Sequence, residues 1–440
     1  LLKKLLRHNF PILLCGNTGT GKTANIKQFL YHESDPSRYS VTLLMFSAQT
    51  SCNQTQDIIE AKLEKRQKGV FGPTLGKTNI IFIDDLNMPE KERYGAQPPL
   101  EVLRQMMDKG EWYDRKSHEL KHLVDIVCCA AMGTPGGGRH HITQRLTRHF
   151  NVVILNDFSA ENLQRIFEKI LTWGFSHMPN SIKKCATMVA QASISVFNSV
   201  CEKFKPLPAK SHYTFNMRDL SNVFQGVLSV TPTRFTGEDE LVKLYRAWLH
   251  ECQRVFEDRL VSDSDREKFK KILSKELLSH MKTSWDTVVG AGELMFGNFI
   301  EYKTYDEIDS FEVVKGHIET YLNDYNTLNQ SKMDLVFFKL AILQVLRLCR
   351  ILKNPFGNAL LIGMGGSGRH SLTKLATFIQ EYELYEIEIT KSYGRVEWEE
   401  NLLDLMKKVG LENQPHVFLF GDTQLVLESF LEDINNLLNS

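Results

Sequence analysis

The run Pro11-Ile12-Leu13-Leu14-Cys15, followed directly by Gly16-Asn17-Thr18-Gly19-Thr20-Gly21-Lys22-Thr23, decides how the rest of the chain is read. An apolar, β-rich segment opens into a glycine-rich turn and the turn into a helical pattern. The GxxxxGK[ST] spacing therefore stands in the strand-loop-helix setting that its chemistry needs. Glycines let backbone N–H groups close around phosphate oxygens, and the helix N-terminus adds positive potential. Lys22 is placed to reach terminal phosphates, and the Thr23 hydroxyl to ligate Mg2+. ATP or ADP with Mg2+ is the expected cofactor, held by Gly16, Asn17, Thr18, Gly19, Thr20, Gly21, Lys22 and Thr23.

Further β-rich runs follow at Ser40–Phe46, Asn79–Ile83 and Leu123–Ala131, each leading through turn residues into a helical pattern. That alternation predicts an α/β fold, a parallel sheet flanked by helices. The run at Asn79–Ile83 ends in Asp84-Asp85. A strand end beside a phosphate loop delivers its carboxylate to the metal, so Asp84 joins Thr23 as an expected magnesium residue. Asp85 stands where a residue would orient the attacking water, but it is one methylene shorter than Glu. A base must come within hydrogen-bond reach, so slow hydrolysis is expected. The fourth run leads into Met132-Gly133-Thr134-Pro135-Gly136-Gly137-Gly138-Arg139, whose three glycines taken alone mark only a flexible loop. Arg145, Arg148 and Arg218 are candidate phosphate-facing arginines, because a permanent charge on a planar fork fits phosphate oxygens in cis or in trans.

From Ser159 to about Leu260 the pattern turns to a 3.6-residue period, as in AENLQRIFEKIL and DELVKLYRAWLHECQRVFEDRLV, and predicts a smaller helical domain. Residues 261–300 carry mixed charge and weak periodicity, and read as a polar connection with a helix in it. The α/β pattern then restarts with a helix over MDLVFFKLAILQVLRLCRILK, a strand at Asn358–Ile362, a second glycine-rich loop and a strand at His416–Phe420. The chain thus holds a tandem array of related modules, the second incomplete. In the second loop, Gly363, Gly365, Gly366, Ser367 and Gly368 keep the backbone cradle. Arg369 stands where Lys is expected and His370 where Ser or Thr should be, with Ser371 one position late. Imidazole is a poor substitute for a hydroxyl on a hard cation, and Asp422 past the last strand has no Glu after it, so hydrolysis there is not expected. Nucleotide binding by the cradle and a purely structural remnant both stay open.

The 440 residues are 42% hydrophobic and 24% charged, which is ordinary for globular protein and long enough for two or three domains. Lys plus Arg and Asp plus Glu balance at 53 each, so no field favours nucleic acid. No apolar run approaches bilayer length, and no membrane association is expected. Eight cysteines without CxxC pairs argue against zinc and against a disulfide scaffold. The opening LLKKLLRHNF lacks the order and cleavage site of a signal sequence, and the chain is expected to begin inside a larger polypeptide. His140 and His141 read as a solvated loop pair. Trp112, Tyr113 and Val336–Phe338 read as packing residues.

The strings FIDDLNMPEKERYGAQPPLEVLRQ, AAMGTPGGGR, RLTRHFNVV and HYTFNMRDLSNVFQG resemble the third AAA+ module of the dynein heavy chain family. GNALLIGMGGSGRHSLTKLA, ITKSYG and VFLFGDTQLVLESFLEDINNLLNS resemble the start of the fourth, in its axonemal form. The resemblance implies tandem AAA+ P-loop NTPase modules: a large α/β part at 1–157, a helical part at 158–262, a connection at 263–304 and the next module from 305–440. It implies a ring of modules in one heavy chain and a location in the cytoskeleton, in a ciliary or flagellar axoneme. Partners would be the neighbouring AAA+ modules, with microtubules and intermediate and light chains engaged through parts outside this segment. The third module would regulate a motor ATPase whose main site lies elsewhere, leaving this segment slow or inactive alone. Arg148, with Arg145, would serve the nucleotide site of the preceding module, and Arg218 would face the nucleotide at Lys22. Gly133 stands near the place of a polar residue that senses the γ-phosphate in AAA+ proteins, so that function is expected to be lost. A self-sufficient AAA+ remodelling ATPase and a scaffold with non-exchanging ADP are the competing expectations.

Overall fold

In the computed structural model, which describes residues 1–230, 235, 239–290, 292–299, 304–308 and 310–439, the chain divides into two units. One comprises Leu1–Phe158 with Leu425–Ser440, the other Ser159–Gln424. The first is built on five strands, β1 (Ile12–Gly16), β2 (Tyr39–Met45), β3 (Thr78–Asp84), β4 (Ile126–Met132) and β5 (Asn151–Leu155). They lie in the order β2-β3-β4-β1-β5, all parallel. Successive side chains of a strand point to opposite faces, and here both faces are covered. Leu13, Ile81, Ile83, Cys128 and Ala130 pack on one side with Leu100, Leu103 and Met106. Ile12, Leu14, Ile80, Phe82, Val127, Cys129 and Ala131 pack on the other with Ile26, Phe29 and Leu30. A sheet buried on both faces reads as continuous apolar runs, which is why these strands were legible. Each fully buried Ile or Phe contributes about 1.5–3 kcal/mol.

Helices that supply this cover include α1 (Lys22–Gln28), which continues directly from the glycine loop, and α2 (Pro98–Lys109). Proline at the first positions of α2 and Gly110 at φ 68° after its end set its limits. The expected fourth strand at Leu123–Ala131 divides in two. Asp125 takes a left-handed φ of 57°, so Leu120–Leu123 turns away into a separate four-stranded sheet while Ile126–Met132 enters the main one. That side sheet, with Glu64–Gln67, Val70–Gly72 and Glu111–Tyr113, and the edge strand β5 are additions to the sequence reading. Trp112 is buried in the core, whereas Tyr113 is exposed.

Among the described residues, the second unit opens with five long helices around one core: α3 (Ala160–Gly174), α4 (Ala186–Lys203), α5 (Met217–Ser229), α6 (Glu240–Phe256) and α7 (Asp263–Met281). Phe167 of α3 stacks on Phe224 of α5 with ring centroids 4.3 Å apart. Asn216 and Asp219 form a reciprocal capping box at the start of α5. The reading of 261–300 as a polar connection needs correction. α7 buries Phe269, Ile272, Leu273 and Leu277 in the same core, its many lysines occupying the other face. The expected limit between 304 and 305 adjoins residues 300–303, which lie outside the described residues.

Farther on, α8 (Phe311–Leu328), α9 (Lys339–Lys353) and α10 (Arg369–Ile379) share a further core of Val314, Ile318, Ile342, Val345, Leu375 and Ala376. β6 (Glu383–Glu386) and β7 (His416–Leu419) form a parallel pair. Two expectations fail here. The helix expected from Met333 begins only at Lys339; of the apolar triplet before it, Phe337 is buried while Val336 and Phe338 are exposed. Asn358–Ile362 forms no strand, and its Leu360 and Ile362 are 86% and 79% exposed. An apolar run becomes a buried strand only where both faces meet cover, and these side chains meet none. The last helix, α12 after α11 (Arg395–Gly410), spans Ser429–Asn439 and belongs to the first unit. There the buried Glu432 accepts hydrogen bonds from Thr50 Oγ1 at 2.8 Å and Ser47 Oγ at 3.2 Å.

A buried charge knot ties α6 to the segment that precedes α8. Glu251 is fully buried and accepts from Tyr305 Oη at 2.5 Å and from Arg254 Nε at 2.9 Å, with His250 Nδ1 at 3.4 Å. The Arg350 guanidinium of α9 lies 4.2 Å over the Tyr305 ring. Burial alone would push the Glu251 carboxyl up, but Arg254, His250 and Arg350 outweigh it and hold the pKa at about 2. Removing one partner of a buried pair strands the other, so Glu251→Ala should cost about 3–5 kcal/mol, read from the urea midpoint. The depressed pKa makes the carboxylate's contribution present above its ordinary value of 4.5 and progressively lost as pH falls toward 2. Glu251→Gln should remove that part of the acid-side slope. Equal midpoints for wild type and Glu251→Ala would contradict the assignment.

Candidate nucleotide site

The strand order places the chemistry. β4 lies between β1 and β3, so the loops after β1, β4 and β3 sit side by side at the carboxyl ends of the strands, where open α/β sheets bind their ligands. Gly16 closes β1 opposite Leu155 of β5, and a Cβ there would sit 2.4 Å from the Leu155 carbonyl oxygen. Gly21 takes φ 78° to launch α1, a conformation that glycine adopts without steric cost. The Lys22 amine turns back over the loop and donates to the carbonyls of Gly16 at 2.9 Å and Asn17 at 2.7 Å. Burial pulls its proton affinity down, Asp85 and Asp84 oppose that, and the charge of Arg139 adds to it.

Thr23 Oγ1 donates to Asp84 Oδ1 at 3.1 Å, and the Asp85 N–H donates to the same oxygen at 3.1 Å. Burial pushes the Asp84 carboxyl up, against the Thr23 hydrogen bond. Asp85 has a left-handed φ of 51° and pairs with Arg139 at 3.5 Å. Asn17 is held from two sides. Its Nδ2 donates to Asp157 at 3.0 Å, and its Oδ1 accepts from Thr134 Oγ1 at 3.1 Å. Asn87 Nδ2, fully buried, donates to the Gly133 carbonyl at 2.9 Å and so ties the loop after β4 to the segment after β3.

The second loop copies the backbone of the first. Gly366 and Gly368 take φ 79° and 77°, much as Gly19 and Gly21 take 90° and 78°, and Gly368 caps α10 as Gly21 caps α1. Arg369 Nη2 turns back to the Met364 carbonyl at 3.5 Å. His370 Nδ1 lies 3.9 Å from Glu386, which Lys374 already holds at 2.8 Å. Among the described residues, nothing joins His370 or Ser371 to Asp422 in the way Thr23 joins Asp84. Gly363, Gly365 and Ser367 are exposed on the loop.

Residues 1–158 match the family description "P-loop containing dynein motor region", 163–266 "Dynein heavy chain, ATPase lid domain" and 333–440 "P-loop containing dynein motor region D4". Over its whole length the chain is 44% identical to dynein axonemal heavy chain 3 of Mus musculus and 46% identical to dynein axonemal heavy chain 1 of Homo sapiens. The chain belongs to the dynein heavy chain family. Dynein axonemal heavy chain 6 of Homo sapiens is more distant at 41%, and the chain spans 11% of the length of each of these relatives.

On this dynein scaffold the structure brings together Lys22, Thr23, Asp84 and Asp85. It places the three candidate arginines differently. Arg148 is exposed and pairs with Asp108 at 2.8 Å, and Arg145 is exposed one turn before it. Arg218 is exposed in the first turn of α5, in the second unit, where its N–H donates to the Asn216 side chain. Sequence reasoning missed Thr134, Asn87, Asp157 and Arg139. A bare glycine at 133 followed by a glycine-rich turn ending in arginine was the signal available for the last of these. Because the Gly16 cradle has no room for a methyl group, Gly16→Ala should lower stability by about 1–3 kcal/mol. Nucleotide binding should go with it, and a thermal melt with and without Mg-ADP checks both.

Proposed function

We propose that this chain is the regulatory nucleotide-binding segment of an axonemal dynein heavy chain, binding ATP or ADP with Mg2+ at the Gly16–Thr23 loop. The observation that carries the reading is the Thr23 hydroxyl meeting the Asp84 carboxylate at 3.1 Å beside a glycine loop whose first residue, Gly16, has no room for a Cβ. Adjacent hard oxygen donors suit Mg2+, and loop N–H groups with Lys22 suit phosphate. Thr23 and Asp84 would hold the metal, and Lys22 the terminal phosphates. Bound there, the nucleotide supplies a phosphoanhydride bond whose cleavage changes the charge at the site.

Asp85 supports slow turnover. Its carboxylate is short, its backbone is left-handed and its charge is engaged by Arg139, so it is poorly placed to draw a proton from water. A site that hydrolyses slowly suits a switch, in which nucleotide state biases the conformation of a ring and thereby motility. In this reading the first module is the third of the ring, with its large part at 1–157 and a helical part from 158 that extends past the expected limit of 262 through α7 to Met281. The fourth module occupies 305–440. The D4 description of residues 333–440 supports that numbering. Arg148 and Arg145 would serve the preceding module's site, and Arg218 the nucleotide at Lys22. The second loop, with Arg369 and His370, keeps a phosphate cradle without hydrolytic residues. The axonemal names of the relatives support a place in a ciliary or flagellar axoneme, with microtubules and intermediate and light chains as partners of the whole heavy chain.

In the intact heavy chain, Lys22→Ala should weaken nucleotide binding at this loop about 100-fold or more and slow microtubule gliding while leaving most of the motor's ATPase. A Lys22→Ala motor that glides and hydrolyses like wild type overturns the regulatory role. Steady turnover by the isolated chain would instead favour a remodelling ATPase. Failure of labelled ATP to displace resident nucleotide would favour a scaffold.

A further inference from the structure

We infer that Arg139 reads the terminal phosphate of the nucleotide held at Lys22, resting on Asp85 when that phosphate is absent and leaving it when the phosphate is present. The inference rests on the nucleotide reading above and goes beyond it by assigning the residue that tells ATP from ADP. Four observations converge on this arginine. First, it is aimed. Gly136, Gly137 and Gly138 all take positive φ, and Gly136 and Arg139 exchange backbone hydrogen bonds of 2.9 and 3.2 Å. This tight turn brings Arg139 back against the end of β4. Second, room has been made for it. A Cβ on Gly133 would sit 2.6 Å from Arg139 Nε and 2.7 Å from Cδ, so the guanidinium occupies the space that a side chain at 133 would take.

Third, the guanidinium is under-used. Its contact with Asp85 is 3.5 Å, long for a charge-assisted hydrogen bond, and its Nε is buried without a partner. A buried donor left unpaired is costly, and an acceptor arriving at the site would relieve that cost. Fourth, the surroundings face the same space. Thr134, on the same loop, donates to Asn17 of the phosphate loop, and the charges of Arg139 and Lys22 act on each other. Two cations gathered beside one glycine cradle suit an anion carrying more charge than a diphosphate. Asp85 therefore has two functions in the cycle: it neutralises Arg139 while no γ-phosphate is present, and it competes with that phosphate for the same fork. No bond is made or broken in this exchange; one acceptor replaces another.

Equilibrium binding of Mg-ADP and of the non-hydrolysable β,γ-imido analogue of Mg-ATP to the 440-residue chain tests the assignment, with Lys22→Ala marking which signal comes from the first loop. Arg139→Gln should weaken the triphosphate analogue about 10- to 100-fold while ADP changes less than about threefold, and Arg139→Lys should restore part of the difference. Asp85→Asn should raise the triphosphate-over-diphosphate preference when Arg139 is present and leave it unchanged in the Arg139→Gln background. If Arg139→Gln weakens both nucleotides equally, or neither, Arg139 is only a structural partner of Asp85 and the inference is overturned. If the wild-type chain shows no binding sensitive to Lys22→Ala, the nucleotide reading itself fails.

Discussion

The hydroxyl-carboxylate contact between Thr23 and Asp84 joins the first turn of α1 to the tip of β3 across the intervening strand β4. It forms only if β1, β4 and β3 end at the same level, and that alignment is what burial of both sheet faces enforces. A one-residue slip of any of these strands would turn its apolar set toward the wrong face and move its loop out of reach. Ile80 to Ile83 of β3 are all fully buried, so the carboxylates that follow are delivered by the most constrained part of the sheet. Rigidity in the core thus becomes precision at the rim, where Lys22, Thr23, Asp84 and Asp85 meet.

Where chemistry was contiguous in sequence, it was legible. The strand-loop-helix around Gly16 and the apolar strand ending in Asp84 each carry their signal within a dozen residues. Arg139 was not legible as a site residue, because its relation to Asp85 and Gly133 arises from a glycine turn folding back and from two strands being neighbours in space. Thr134, Asn87 and Asp157 share that difficulty. α7 was misread for a different reason: its buried phenylalanine, isoleucine and leucines are outnumbered by charged residues on the outer face, which flattens the pattern. Asn358–Ile362 erred in the opposite direction, since an apolar run specifies a strand only when something covers it.

The two units use buried charge in contrasting ways. In the second, Glu251 is saturated by Tyr305, Arg254 and His250, and Gly226 leaves it room, since a Cβ there would lie 1.7 Å from Oε2. Three donors close on that one carboxylate, so the knot fixes α6 against the segment leading to α8 and α9. At the nucleotide loop the balance is deliberately incomplete, with a lysine folded onto carbonyls and an arginine at arm's length from its acid. Saturated charge gives rigidity; unsaturated charge gives responsiveness.

The left-handed backbone at Asp85 narrows the choice of side chain there. Asp and Asn occupy that conformation more readily than longer side chains do, so the main chain itself favours the short acid at this position. A glutamate placed there would gain reach only with a reshaped turn and a different stance toward Arg139. The length of the acid at the tip of β3 is thus a property of the main chain as much as of the side chain.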